Sequence, residues 1–571
     1  MRVLPVNTDV LLVELDELAQ AVALNQSLLD DPIAGVYEFV PAARTVMVRF
    51  RPTRIDADEL ARRLLERDVS APLGADGELV EVPVRYDGDD LAEVAHLLET
   101  TPDEVIAMHT GSVYTVAFAG FAPGFSYLVG GDPRLDVPRR TVPRTAIPAG
   151  AVGLAGTYSG VYPRVSPGGW QIIGTTDLPM FDLRLDPPAT LRPGMRVRFT
   201  QVTAAGSPGA DSARATLGHA ADSSPATGPQ PSDAAHTAHG LEVVQPGLSS
   251  TLQDLGRPGH ADLGVSRSGA LDHDAARLAA RLVGNTSDSA SIETYGGLKL
   301  RAIGEQVLAI TGAEVTATIH AAQPATDTAP GTPIRHDRQV PRLRAFALRS
   351  GETLEVGFPT RGSVAYVGVR GAFAIAPVLD SLSTDVLSGL GPAPLAVGDV
   401  LPVHRSAVAA VTQIWPGATD PLADTALALP ARGEVVTLDV LLGPRTEMFA
   451  DDALETLFGQ EWETTSQSNR VGLRLHGEKP LQRSDHSELA SEGTASGALQ
   501  VPPSGQPVLF MADHPLTGGY PVIGSVASYH LNLAGQVPIG ARIRFHGVTD
   551  APASVSASET LGAPPPAIKE N

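Results

Sequence analysis

The 571-residue sequence predicts an α+β fold, mainly β, in two strand-rich halves. Three observations carry this. Residues 1–85 place two helix-period segments among short alternating runs. From Val113 onward the apolar runs are short and separated by Gly/Pro turns. Residues 204–240 are dominated by Ala, Gly, Ser, Pro, Thr and Asp, too little apolar surface to offset the entropy of ordering, so they read as a disordered linker.

In order, Val10–Leu15 reads as a strand and Asp16–Leu29 as a helix with Leu18, Val22 and Leu28 on its spacing. Val36–Phe50 reads as a hairpin turning at Pro41 and Ala42. Asp56–Asp68 reads as a helix with Leu60, Leu64 and Leu65 inward, and Leu79–Arg85 as a strand. The order β-α-β-β-α-β is the ferredoxin-like pattern, expected as a small lobe over 1–85. Asp90–Glu99 and Pro102–His109 read as short helices, the second opened by a Thr101/Glu104 capping box.

Short β runs from Val113 to Thr200 suggest a compact barrel over 86–203. Its loops carry candidate ligand groups. Phe121, Pro123, Gly124 and Phe125 follow a strand and form either a pocket wall or a packed corner. Arg144 and Arg164 sit in proline-stiffened loops and suit anions, since a guanidinium fork matches carboxylate or phosphate. Gly168 and Gly169 allow close backbone approach, and Trp170 is core or stacking surface.

The second half is read as 241–550, with a disordered tail at 551–571. It opens with PGLSSTLQDLGRPGHADLGVSRSGALDHDAARLAARLVGN, from Pro246 to Asn285. Glycines including Gly269 alternate here with Asp254, Arg257, His260, Ser268, Asp272 and His273. Asp272 can cap a helix whose Ala275, Leu278, Ala279 and Leu282 share a face. This mixture favours a site at a helix N-terminus, where free N–H groups attract anions. Ser468 and Arg470 precede a later strand. Asp513 and His514 end another, leading into Gly518, Gly519 and Tyr520, a place suited to acid–base groups. Asp513, His514, Asp254 and Asp272 are therefore the catalytic candidates. Residues Thr412–Arg432 read as a loop without a site.

Composition excludes several classes. Lys plus Arg total 42 against 64 Asp plus Glu, a net charge of −22, which argues against nucleic acid. No cysteine excludes disulfides and thiolate chemistry. The 15 His show no ligand spacing, so no metal site is expected. No apolar run reaches the roughly 18 residues of a membrane span, and the N-terminus lacks signal-peptide features, so a cytoplasmic location is expected.

GFAPGFSYL, PRTAIPAG and YPRVSPGGWQIIG resemble allophanate hydrolase subunit 1, also called the B component of 5-oxoprolinase or the sporulation-kinase inhibitor, over 1–203. The Pro246–Asn285 stretch, with Glu293, Thr311–Ala313 and the 491–521 cluster, resembles allophanate hydrolase subunit 2, also called the C component of 5-oxoprolinase or the inhibitor's antagonist, over 241–548. The resemblance implies a cyclophilin-like barrel in the first half, a double β-barrel carboxyltransferase-type domain in the second, and contact between the fused halves. It implies an ATP-dependent hydrolase component that opens the cyclic amide 5-oxo-L-proline to L-glutamate, with magnesium accompanying ATP and a separate A-type subunit required for activity. A Walker loop, an amidase Ser–Lys stretch and a biotin-attachment sequence are all missing, and only three lysines occur, so no covalently attached biotin is expected. Two alternatives stay open: a biotin-dependent carboxyltransferase component like that of urea carboxylase, and a regulator that binds a histidine kinase. Fusion of inhibitor with antagonist would neutralise such a regulator.

Overall fold

A computed structural model describes residues 1–70, 77–202, 239–322, 336–405, 428–487, 489–548 and 555–556. The expected linker lies outside them except for His239 and Gly240, and Gly240 already begins the strand Gly240–Pro246. Most of the expected loop at 412–432 lies outside them too, as does the tail except Val555–Ser556. That pair is a strand, antiparallel to Arg2–Asn7 with Val3 opposite Val555.

The architecture is mainly β, as expected. The N-terminal lobe is an antiparallel sheet in the order Val36–Pro41, Thr45–Phe50, Val10–Glu14, Arg2–Asn7, then Val555–Ser556. The helices Leu18–Asp30 and Ala57–Leu65 cover one face, burying Leu24, Leu28, Leu60 and Leu64 against Val13, Val46 and Val48. One strand departs from the ferredoxin-like expectation. Leu79–Val84 leaves the lobe and runs parallel to Arg196–Gln201 in the next sheet, while Arg2–Asn7 pairs beside Val10–Glu14. Pairing partners are not encoded in strand periodicity, which sets only which face is apolar.

The next sheet has seven strands, from Gln171–Thr175 at one edge to Leu79–Val84 at the other. Arg85 and Thr175 exchange two backbone hydrogen bonds of 2.8 and 2.7 Å across those edges, so the sheet curls into a barrel. Its interior holds Val116, Leu128, Val152, Leu154, Ile173 and Phe199. The Thr101/Glu104 capping box forms as the spacing predicts.

The second half has two parts. Strands between Gly240 and Pro402 form a six-stranded and a five-stranded sheet around Leu252, Ile292, Leu300, Ile310 and Val367. Strands from Val435–Leu442 to Arg542–Val548 close a seven-stranded barrel around Trp462, Leu438, Leu499 and Phe545. The helix His273–Leu282 lies against the strands Gln306–Glu314 and Arg361–Val369. Its buried residues are Ala275, Ala276, Ala279 and Ala280, while Leu278 and Leu282 are half-buried. The alanines let the helix approach closely: a Cβ on Gly368 would stand 2.7 Å from the Ala279 carbonyl oxygen.

The halves pack directly on each other. Leu4, Val6, Val10, Leu12, Val40 and Met47 share a core with Ala261, Ala495 and Leu516. Polar contacts border it. Asn7 Nδ2 donates to the Val526 carbonyl at 2.8 Å, and Arg445 reaches Glu14 at 2.6 Å. Among the described residues no helix is long and apolar enough to cross a membrane.

Candidate active site

The turns that follow Asp254 deliver several side chains to the junction of the halves. Gly264 and Gly269 have φ of +74° and +107°, which glycine adopts without strain. Ser268 has φ +53°, a conformation that costs a non-glycine residue energy. Its Oγ donates to Asp513 Oδ1 at 2.6 Å, which holds the segment in place.

Arg267, Ser268, His273 and Arg277 of this stretch, with Asn532, line a cavity of about 320 Å³. Asn7, Asp9, Tyr37 and Arg49 of the N-terminal lobe supply its other wall. A second cavity of about 370 Å³ adjoins it, sharing Asp9, Tyr37 and Arg267 and adding Phe50, Arg51, Thr53 and Pro258. The site is therefore a two-chambered cleft that neither half builds alone. Asp272 caps the helix behind the inner chamber, accepting from Ala275 N at 2.9 Å, and Asn532 Oδ1 accepts from His273 N at 2.9 Å. Burial, helped by Arg267 and Arg277, lowers the His273 pKa to about 4, so the imidazole is neutral near pH 7.

A buried polar chain lies beneath. Arg470 pairs with Asp513 and Glu293 and donates to the Gly269 carbonyl at 2.5 Å. Glu293 Oε2 accepts from Tyr366 Oη at 2.6 Å and from Leu271 N at 2.9 Å. Tyr366 Oη in turn accepts from Asp272 N, and Gln536 Nε2 donates to Asp272 Oδ2 at 2.9 Å. Burial raises the Asp272 pKa to about 6 and pushes that of Tyr366 well up. The attraction of Asp513 and Glu293 outweighs burial at Arg470 and raises its pKa.

The first-half motifs converge on a smaller cavity, about 80 Å³, at the same seam. Phe121, Pro123, Arg164 and Ser166 meet Gly264, Ser266, Ser388 and Leu516 there. Arg164 donates to the backbone carbonyls of Leu387 and Ser388, and Gly124 N donates to the Leu263 carbonyl at 2.9 Å.

The remaining predicted residues line none of these cavities. Arg144 pairs with Asp90, which also holds Arg140. Phe125 and Trp170 belong to an aromatic core with Tyr127 and Tyr162, while a Cβ on Gly168 would meet the Tyr162 hydroxyl. Gly169 accepts at its carbonyl from Arg140 N at 2.8 Å. Asp254 accepts from Ser381, Ser383 and the amides of Leu382 and Gly256. Arg257 is buried against the carbonyls of Ser383 and Val378. Ser468 Oγ accepts from Arg474 N. His514 stacks on Phe510, and its Nδ1 donates to the Pro515 carbonyl at 2.8 Å. Gly518 pairs with Glu492, Gly519 follows it, and Tyr520 is exposed. Sequence reasoning placed Ser268 and His273 in the mixture at the helix N-terminus without giving either a role, and assigned no site role to Asn7, Asp9, Tyr37, Arg49, Arg51, Arg267, Arg277 or Asn532. The available signal was the helix N-terminus, since His273 is its first residue.

An open-sheet lobe with its neighbouring barrel, meeting a second barrel-bearing half over a polar cleft, is an architecture of the carboxyltransferase type. Residues 263–547 match the model of "Carboxyltransferase domain, subdomain A and B", and residues 1–191 that of "Carboxyltransferase domain, subdomain C and D". The chain belongs to this family, which includes 5-oxoprolinase subunits B and C. It is 32% identical over 314 residues to the 5-oxoprolinase C component of Escherichia coli K12, covering 53% of this chain and 90% of that one. It is 39% identical over 194 residues to the 5-oxoprolinase B component of Bacillus subtilis 168, covering 30% and 79%. Urea amidolyase of Saccharomyces cerevisiae is 29% identical over 53% of this chain, which spans 16% of that protein. The crystal structure of TTHA0988 matches at a TM-score of 0.75 and 32% identity, covering 94% of this chain and 99% of that one.

Proposed function

We propose that this chain is the fused B–C component of a cytoplasmic, ATP-dependent 5-oxoprolinase that opens 5-oxo-L-proline to L-glutamate with a separate A-type subunit. One observation carries the reading. Relatives named as the B and the C components of 5-oxoprolinase both match within a single chain, and the cleft needs walls from both halves.

The chemistry suits that cleft. Opening an unstrained lactam needs activation, which phosphorylation of the amide oxygen by ATP supplies, leaving the ring carbon open to water. Arg267 and Arg277 are placed to bind the substrate carboxylate. Neutral His273 offers a ring nitrogen to a water proton. In this reading Asp513 positions Ser268 and Arg470.

The likeness to urea amidolyase favours a second reading, carboxyl transfer from a carboxybiotin-bearing partner. The test is ADP and glutamate release from 5-oxo-L-proline by this chain alone and with the A-type subunit. Activity only in the mixture supports the proposal. Turnover by this chain alone removes the partner requirement. An inert mixture, with carboxybiotin turned over instead, transfers the assignment to the second reading.

A further inference from the structure

The two chambers of the cleft differ in how their charges are balanced. Together their linings carry Arg49, Arg51, Arg267 and Arg277 against one carboxylate, Asp9, in a chain whose net charge is −22. Arg49 is compensated by Glu38 at 3.0 Å and Arg277 by Asp274 at 3.2 Å. Arg51 and Arg267 have no carboxylate partner among the described residues. Both instead lie against the Tyr37 ring, with guanidinium carbons 5.8 and 5.5 Å from its centroid. Arg267 Nε is buried without a hydrogen-bond partner. Two cations held beside one aromatic ring repel each other, and an anion between them removes the repulsion.

We infer that the outer chamber, between Arg51, Arg267 and Thr53, is the subsite for a phosphoryl oxyanion, and that Arg267 stands between it and the inner chamber. The identity of the oxyanion as a phosphate of ATP rests on the 5-oxoprolinase reading; the anion subsite itself does not. Asp9 at the partition has its Oδ1 occupied by Ser528 Oγ at 2.5 Å. Its charge disfavours a bare anion and favours one accompanied by magnesium.

The test is calorimetric titration of the full-length chain with ATP, triphosphate and inorganic phosphate, with and without magnesium, at fixed ionic strength. Arg51→Gln and Arg267→Gln are compared with Arg54→Gln, an exposed neighbour that lines neither chamber and removes the same charge. Either chamber variant should weaken binding by roughly tenfold or more, the loss of one charge-assisted contact, and Arg54→Gln by less than about twofold. Binding of phosphate but not ATP, with the same dependence on Arg51, supports the subsite and names free phosphate as its ligand. Equal affinities in wild type and Arg51→Gln, together with an unchanged KM for ATP in the mixture with the A-type subunit, overturn the subsite even if the mixture makes glutamate. An inert mixture whose ATP binding still depends on Arg51 overturns the 5-oxoprolinase reading and leaves the subsite standing.

Discussion

Arg470 and Asp513 form a two-point ion pair inside the second half, Nε to Oδ2 and Nη2 to Oδ1, both at 3.0 Å. Neither side chain is more than 3% exposed. Removing one partner leaves the other charge buried without compensation. Asp513→Ala should therefore destabilise the fold by about 3–5 kcal/mol, measured by denaturant unfolding. Asp513→Asn keeps the shape and should cost less. An Asp513→Ala protein with wild-type stability would show that the pair does not hold the barrel to the Gly269 turn.

Gly264 lies where the backbones of the two halves approach closely. Its φ is +74°, and a Cβ there would stand 2.7 Å from the Ala122 carbonyl oxygen in the first half. Gly264→Ala should lower stability by about 1–3 kcal/mol and loosen the seam. Calorimetry should show one thermal transition in the wild type and two in the variant. A single unshifted transition would mean that the seam absorbs the methyl group.

His514 gives the fold a defined acid sensitivity. Burial, with a smaller effect from Arg49, lowers its pKa from 6.5 to about 4. The unfolded chain protonates this imidazole near pH 6.5 and the folded chain does not. Its stabilising contribution is complete above pH 6.5 and is lost as pH falls towards 4, at up to about 1.4 kcal/mol per pH unit. Asp272 acts oppositely: its pKa is raised from 3.8 to about 6, so stability falls as pH rises through that window. His514→Gln, which can still donate to the Pro515 carbonyl, should flatten the acid limb of stability against pH. Parallel curves for the two proteins would sink the assignment.

Local devices were legible in the sequence and long-range pairings were not. Thr101 with Glu104, and Asp272 with Ala275, are three residues apart, so their caps follow from residue type and spacing. The cleft depends on other distances. Arg267 meets Tyr37 across 230 positions, and His273 meets Asn532 across 259. No periodicity encodes such neighbours. Chemically suggestive residues also acquired quieter places: Arg144 is held by Asp90, and Trp170 lies in an aromatic core. A guanidinium or an indole has the same letter in a site as in a scaffold.

Tyr37 tests whether the cleft works as one unit. Its ring lies against both Arg51 and Arg267, while its hydroxyl is a marginal 3.5 Å from Arg267 Nη1. Tyr37→Phe keeps the ring and should leave turnover within about twofold of wild type, since a contact that long contributes little. Tyr37→Ala frees both guanidiniums. Because Tyr37 orients the binding groups and carries no reacting atom, KM should rise by about tenfold while kcat stays within about threefold. Steady-state kinetics of the mixture with the A-type subunit, varying 5-oxo-L-proline and ATP separately, reads both constants. A fall in kcat with KM unchanged would place Tyr37 in the chemical step, and wild-type constants in Tyr37→Ala would place the reaction outside this cleft.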